Sequence, residues 1–137
     1  MISQIAITLE GFLPFLAYFG GGVFLVVFFS LIYLKVTPYD EIKLVREGKI
    51  APAVSFGGAI LGFICPLTAA IAHSVNFLDM VIWALIALVV QILVFLLVRL
   101  VFRSFIDDIA NDKIASALFL AIISVAAGLV NAASMTY

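Results

Sequence analysis

Four polar side chains interrupt long apolar stretches of this sequence and are its first candidates for chemistry. Gln91 lies near the middle of one such stretch, Thr68 and Ser124 lie in two others, and Asn131 lies near the C-terminal end. An amide or hydroxyl among apolar residues is unfavourable unless it finds a hydrogen-bond partner. Two interpretations follow: a polar lining for a pore or substrate path, or hydrogen bonds between packed helices.

The sequence lacks the residue patterns of an enzyme or a metal site. It has no nucleophile–base pair and no phosphate-binding loop, and His73 has no second metal donor three or four positions further on. The single Cys65 excludes an internal disulfide. A net charge of −1 gives no basic field for nucleic acid. We therefore predict a protein that is not an enzyme and needs no cofactor or metal.

The composition predicts that the chain lies in a lipid bilayer. Hydrophobic residues make up 66% and charged residues 11% of the sequence, against about 45–50% and about 25% in soluble domains. A small soluble domain leaves much of its surface exposed to water. So large an apolar fraction therefore requires lipid contact.

Four charge-free intervals set the expected architecture. They cover residues 11–34, 50–78, 80–98 and 114–137, and a membrane-spanning helix needs about 20 apolar residues. The sequence therefore predicts an all-α integral membrane protein with one membrane domain over residues 1–137. Its transmembrane helices are expected at about 12–35, 50–75, 79–103 and 113–135. Pro66 is expected to kink the second of them.

The cations give the expected orientation. All seven lie at or within two connections, as Lys35, Lys43, Arg46, Lys49 and as Arg99, Arg103, Lys113. Loops rich in Lys and Arg stay in the cytoplasm. The loops at about 36–49 and 103–112 are therefore predicted to be cytoplasmic, with both termini on the other side of the membrane. Asn111-Asp112 is expected to cap the fourth helix.

A shift of 64 positions superimposes the two halves. It aligns Lys49-Ile50-Ala51 with Lys113-Ile114-Ala115 and Ala53 with Ala117. An even number of helices precedes each half, so both helical hairpins point the same way, as in parallel transporter repeats. We predict repeat one at about residues 12–75 and repeat two at about 79–137.

Small residues predict how the helices pack. They recur three or four positions apart in the second and fourth helices, as Ser55, Gly58, Gly62 and as Ser124, Gly128, Ala132. Such faces allow close helix contact in lipid. The sequence leaves open whether these faces meet within one subunit or between two, and we predict a homodimer as the commonest closed assembly.

Several segments resemble a known family. "YLKVTPYDE", "VSFGGAILGFICPLTAAI", "IALVVQILVFLLVRL" and "NAASMTY" resemble the YjfL family of small inner-membrane proteins, a domain of unknown function. The resemblance extends from about Phe15 onward, and it implies a bacterial inner-membrane protein with four spans in two repeats. The resemblance implies no particular reaction, substrate or catalytic residue. Relatives encoded near membrane-stress proteins and ATP-grasp ligases imply a role in the envelope.

Two functional hypotheses remain. The first is an oligomeric membrane module that recruits a cytoplasmic partner, in envelope maintenance or stress, through the charged hairpin tips. The tip residues are Lys43, Arg46, Lys49, Arg103, Asp107, Asp108 and Lys113. The second is a small channel or transporter for ions or small cationic solutes, with Gln91, Thr68, Ser124 and Asn131 lining a path between the repeats. We favour the first, because no ionisable residue lies deep in a span.

Overall fold

The computed structural model describes residues 1–135, which form helices and no strand. Within these residues, four helices are long and apolar enough to cross a membrane. The predicted fold class, an all-α membrane protein, is confirmed. The helices are α1 (Ile2–Val36), α2 (Glu41–Arg46), α3 (Ile50–His73), α4 (Phe77–Val101), α5 (Phe105–Ala110) and α6 (Ile114–Ser134).

The first helix is much longer than the span that the sequence predicted. α1 has 35 residues, which corresponds to a length of about 52 Å, whereas the hydrocarbon core of a bilayer is about 30 Å thick. Residues 1–17 are not covered by the rest of the protein. The later half packs on the bundle through Gly22, Leu25, Phe29 and Tyr33, spaced three or four positions apart. α1 is therefore held to the bundle only through its second half, from about Tyr18 onward.

Helices α3 and α6 form the most extensive contact in the chain. A Cβ atom added at Gly62 would lie 2.8 Å from the Ser124 carbonyl carbon, and one added at Gly128 would lie 2.8 Å from the Gly62 Cα. At Gly58 the added atom would lie 2.5 Å from the Ala121 Cα. Only glycine therefore permits the two backbones to touch, and these small-residue faces meet within one chain.

Each connection between paired spans contains a six-residue helix, where the sequence analysis placed loops. α2 and α5 lie 64 positions apart and are followed by similar turns. The Gly48 N–H donates to the Val45 carbonyl, and the Asp112 N–H donates to the Ile109 carbonyl. Both turns use a positive φ, +84° at Gly48 and +62° at Asp112, and aspartate is one of the few other residues that adopt this conformation readily.

The prediction that Asn111-Asp112 caps the fourth helix is wrong. The N-cap of α6 is Lys113, and it makes no side-chain capping bond. Instead, the Ala51 N–H donates to Asp112 Oδ1 at 2.8 Å, so the carboxylate satisfies a free amide in the first turn of α3. Asp112 therefore caps α3 and not α6, because the two helices lie side by side.

The proline of the second span lies inside a helix that does not end there. Pro66 is buried, and α3 continues beyond it to His73. The helix thus keeps its buried face on both sides of the proline, with Gly62 and Phe63 before it and Ala70 after it.

Candidate functional site

Gln91 links two of the spanning helices. It lies on α4 with 1% of its surface exposed, and its Nε2 donates to the backbone carbonyl of Ser124 at 2.9 Å. The same Nε2 would lie 2.7 Å from a Cβ atom on Gly62. Gln91 therefore packs where α3, α4 and α6 meet, although its Oε1 has no hydrogen-bond partner.

The other three polar residues of the spans lie in different places. Ser124 is buried beside Gln91, whereas Thr68 is exposed and its hydroxyl donates to the carbonyl of Cys65 in its own helix. Asn131 is half-buried about two turns beyond Ser124, and its Nδ2 has no partner. The structure thus brings Gln91 and Ser124 together and leaves Thr68 and Asn131 apart from them.

The described surface has apolar grooves beside its spanning helices. The groove between α3 and α6 has a volume of about 550 Å³ and is lined by residues such as Gly57, Leu61, Ala126 and Leu129. A second, of about 520 Å³, includes Asn131 among apolar residues. No charged side chain lines either groove, so their chemistry suits lipid tails or apolar helices better than ions.

A buried polar cluster lies at the end of the bundle that was predicted to be cytoplasmic. It consists of Tyr33 on α1, Tyr39 in the following link, Glu41 on α2 and Ser55 on α3. Glu41 is 1% exposed, and neither carboxyl oxygen has a hydrogen-bond partner. The buried hydroxyls of Tyr33 and Tyr39 also lack partners. This cluster is the least satisfied group of polar atoms in the described residues.

Burial controls the protonation of the cluster. Desolvation raises the pKa of Glu41 to about 8, and the nearby hydroxyls of Tyr39 and Thr37 offset only part of this rise. Burial and the proximity of Glu41 also raise the pKa of Tyr39. Desolvation disfavours the charged form of an acid, so Glu41 holds its proton at neutral pH.

This cluster was not predicted, because Asp40 and Glu41 are adjacent acids that both look like solvated charges at a hairpin tip in the sequence. Asp40 is exposed and caps α2 by accepting from the Lys43 N–H, whereas Glu41 points into the bundle. One signal was present: the 64-residue shift aligns Glu41 with Phe105, a residue type that favours burial.

Most of the predicted tip residues are exposed, namely Lys43, Arg46, Lys49, Arg103, Asp107 and Lys113. Asp108 is half-buried and joins α5 to α6. It accepts from the Ser116 hydroxyl at 2.9 Å and lies 3.4 Å from the Lys113 ammonium. The first tip therefore has cations with no salt bridge among the described residues, and the second tip has one such pair.

Four apolar spans that pack through glycine, with short helices in two connections, define a multi-pass α-helical membrane protein. The chain matches the Domain of Unknown Function family DUF350 over residues 6–135 and belongs to that family, which confirms the resemblance noted above. It is 39% identical over 129 residues to the UPF0719 inner membrane protein YjfL of Escherichia coli K12, covering 94% of this chain and 98% of that protein. The protein of the same name in Escherichia coli O157:H7 matches equally. No solved structure is significantly similar to the chain.

Proposed function

We propose that this protein is a non-conducting module of the bacterial inner membrane that docks a cytoplasmic partner in envelope maintenance. The observation that carries this proposal is the closed α3–α6 contact, in which Gly62 and Gly128 touch backbone to backbone. This contact fills the space between the two halves in which the alternative channel hypothesis would place a conduction path. The YjfL relatives are named inner membrane proteins, which supports the location.

The proposed topology places α2 and α5 in the cytoplasm. The cations cluster at that end, and positive loops stay inside. In a variant with Cys65 replaced by alanine, a cysteine at Glu47 or Asn111 should resist an impermeant thiol reagent in intact cells. A cysteine at Val75, which is 84% exposed in the middle connection, should react. Labelling of all three positions from outside would refute this orientation.

The two halves are proposed to be parallel repeats that present α2 and α5 side by side. The equal spacing of the short helices and the matching turn bonds after them support this proposal. The repeats differ in charge, because α2 carries exposed Lys43 and Arg46 whereas α5 carries Asp107 and Asp108. A partner that bridges both tips would therefore need an acidic and a basic surface.

Photocrosslinking tests the partner. A photoreactive residue at Val45 on α2, which is 39% exposed, should crosslink to a protein other than this chain. The product should vanish when Lys43 and Arg46 are both changed to glutamate, because that removes the charge complementarity. A photoreactive residue at Val75 is the matched control on the opposite side. Equal products from both positions would count against a docking role for the tips.

A homodimer is proposed to form through α1, since the glycine faces are already used within the chain. Seven uncovered apolar residues follow alternating three- and four-residue steps along it: Ile2, Ile5, Leu9, Phe12, Leu16, Phe19 and Val23. This is the spacing of a coiled-coil interface, here called the α1 stripe. Two copies inserted with the same orientation run parallel, so identical stripes meet in register.

Disulfide crosslinking tests the dimer. In the background without Cys65, a cysteine at Leu9 on the α1 stripe should form a disulfide-linked dimer after mild oxidation. Ile7 is the matched control, because it is also exposed but lies about 160° around the helix from Leu9. Equal dimer yields from the two positions would show that encounters are random and that α1 is no interface.

A small cation channel or transporter remains the second candidate. Its support is that Gln91 Oε1 and Asn131 Nδ2 are buried polar atoms without hydrogen-bond partners, which water or a solute passing between the helices would satisfy. Purified protein in vesicles should show no sodium or potassium flux if the module proposal is right. Flux that appears with the wild type and disappears with Gln91→Leu would establish the channel instead.

A further inference from the structure

Glu41 is a buried carboxyl group with no counter-ion, and the nearby hydroxyls of Tyr39 and Thr37 compensate only part of its burial. It is 1% exposed, and neither oxygen has a hydrogen-bond partner. Among residues 1–135 the salt bridge found is Lys113–Asp108, at the other tip. An ionised carboxylate left buried and unpaired is strongly unfavourable. The arrangement is therefore compatible with a neutral, protonated Glu41 and not with a charged one.

The groups around Glu41 do not supply a counter-charge. The groups that act on its pKa are the neutral hydroxyls of Tyr39 and Thr37, from the link before α2, and Glu41 in turn lies close enough to Tyr33 of α1 to act on that hydroxyl. α3 contributes Ser55, whose hydroxyl donates to the carbonyl of Pro52. The nearest charged residues along the chain are all exposed: Lys35, Asp40, Lys43, Arg46 and Glu47. Burial raises the pKa of Tyr39 above the ordinary tyrosine value of about 10, so Glu41 titrates first.

The second half shows that the fold does not require an acid here. Glu41 is the one buried residue of α2, whereas the one buried residue of α5 is the apolar Ile109. The 64-residue shift places Phe105 at the position of Glu41 and Phe119 at the position of Ser55. Those two phenylalanines lie 5.8 Å apart, edge to face. Apolar rings thus occupy these two positions in the second half, whereas the first half has a carboxyl group and a hydroxyl group there.

We propose that Glu41 is a proton-binding site that controls the docking of α2: the short helix stays on the bundle while the carboxyl is protonated and leaves when it ionises. Ionisation makes burial unfavourable, and water reaches the carboxylate only if α2 moves away from Tyr33 and Ser55. Rising pH therefore releases α2, together with the exposed Lys43 and Arg46 that it carries. This inference does not depend on the partner or dimer proposed above.

Hydrogen–deuterium exchange in lipid nanodiscs tests the proposal. After correction for the intrinsic rate, the opening of residues 41–47 should rise about 50-fold between pH 6 and pH 8. This factor follows from a carboxyl pKa of about 8 when docked and roughly 4.3 when released. Residues 105–111, the α5 segment held by Ile109, are the internal control and should show no such rise.

Two variants and one ion series complete the test. Glu41→Gln, which stays neutral, should leave α2 protected at both pH values, whereas the exposed Glu47→Gln should keep the wild-type rise. Exchanging sodium, potassium and choline at fixed pH should change nothing. Wild-type opening that is independent of pH, a rise that persists in Glu41→Gln, or opening set by sodium or potassium would each overturn the proton-binding assignment.

Discussion

The contact between α3 and α6 can be tested with two glycines of the same helix. Gly62→Ala would place a methyl group against the Ser124 carbonyl oxygen and 2.7 Å from Gln91 Nε2. Gly57→Ala would place the same methyl group where nothing lies within 4 Å. The two variants have the same composition and the same helix, so any difference in stability reports the interhelical contact.

The expected difference follows from the added atom. At Gly62 the helices must separate or the Gln91 side chain must move, and overpacking of this kind costs about 1–3 kcal/mol. Loss of the Gln91–Ser124 hydrogen bond adds about 0.6 kcal/mol. The preference of a helix for alanine over glycine, up to roughly 1 kcal/mol, favours both variants and cancels in the comparison. We therefore expect Gly62→Ala to be about 1.5–3.5 kcal/mol less stable than Gly57→Ala.

Reversible unfolding in mixed micelles, followed by circular dichroism, measures this difference. Gly128→Ala repeats the test from α6, because its added Cβ would meet the Gly62 backbone. It should be destabilised to a similar extent. If Gly62→Ala and Gly57→Ala unfold within 0.5 kcal/mol of each other, on the order of the error of such measurements, the backbones of α3 and α6 are not in contact and the reasoning fails.

Three further outcomes are expected in the same unfolding assay. Gln91→Leu should lose less than about 1 kcal/mol, because an apolar replacement also removes the unsatisfied Oε1; a much larger loss would indicate a wider polar network. Asp112→Ala should lose about 2 kcal/mol, since it removes the bond to the Ala51 N–H and puts alanine at positive φ, whereas Asp112→Asn should keep most of the stability. Because folding raises the pKa of Glu41 to about 8, the folded form binds the extra proton between the two pKa values, so stability should fall by up to about 4 kcal/mol from pH 5 to pH 8 and level off above. Glu41→Gln should remove this slope, and a slope that stays would assign it to another group.

The sequence alone determined that the chain is a membrane protein with four spans. This property depends on the local hydrophobicity of each segment, which can be read from the sequence. The free energy of transferring an apolar segment into lipid depends mainly on its own residues and not on the helices that pack beside it. The clustering of cations at two connections and the small residues at Gly58, Gly62 and Gly128 are local signals of the same kind. The family resemblance was also a property of the linear sequence.

Only the tertiary structure decided which surfaces meet. Asp112 and Ala51 are 61 positions apart, and no local pattern could assign the carboxylate to α3 rather than to its own helix. The glycine faces could have met within or between subunits, and the structure joins them within one chain. Glu41 and Asp40 are adjacent acids that look alike in the sequence, yet one is buried and the other exposed. The direction of a side chain at a hairpin tip depends on how a six-residue helix lies on the bundle, and long-range packing of α2 against α3 and beside Tyr33 sets that position.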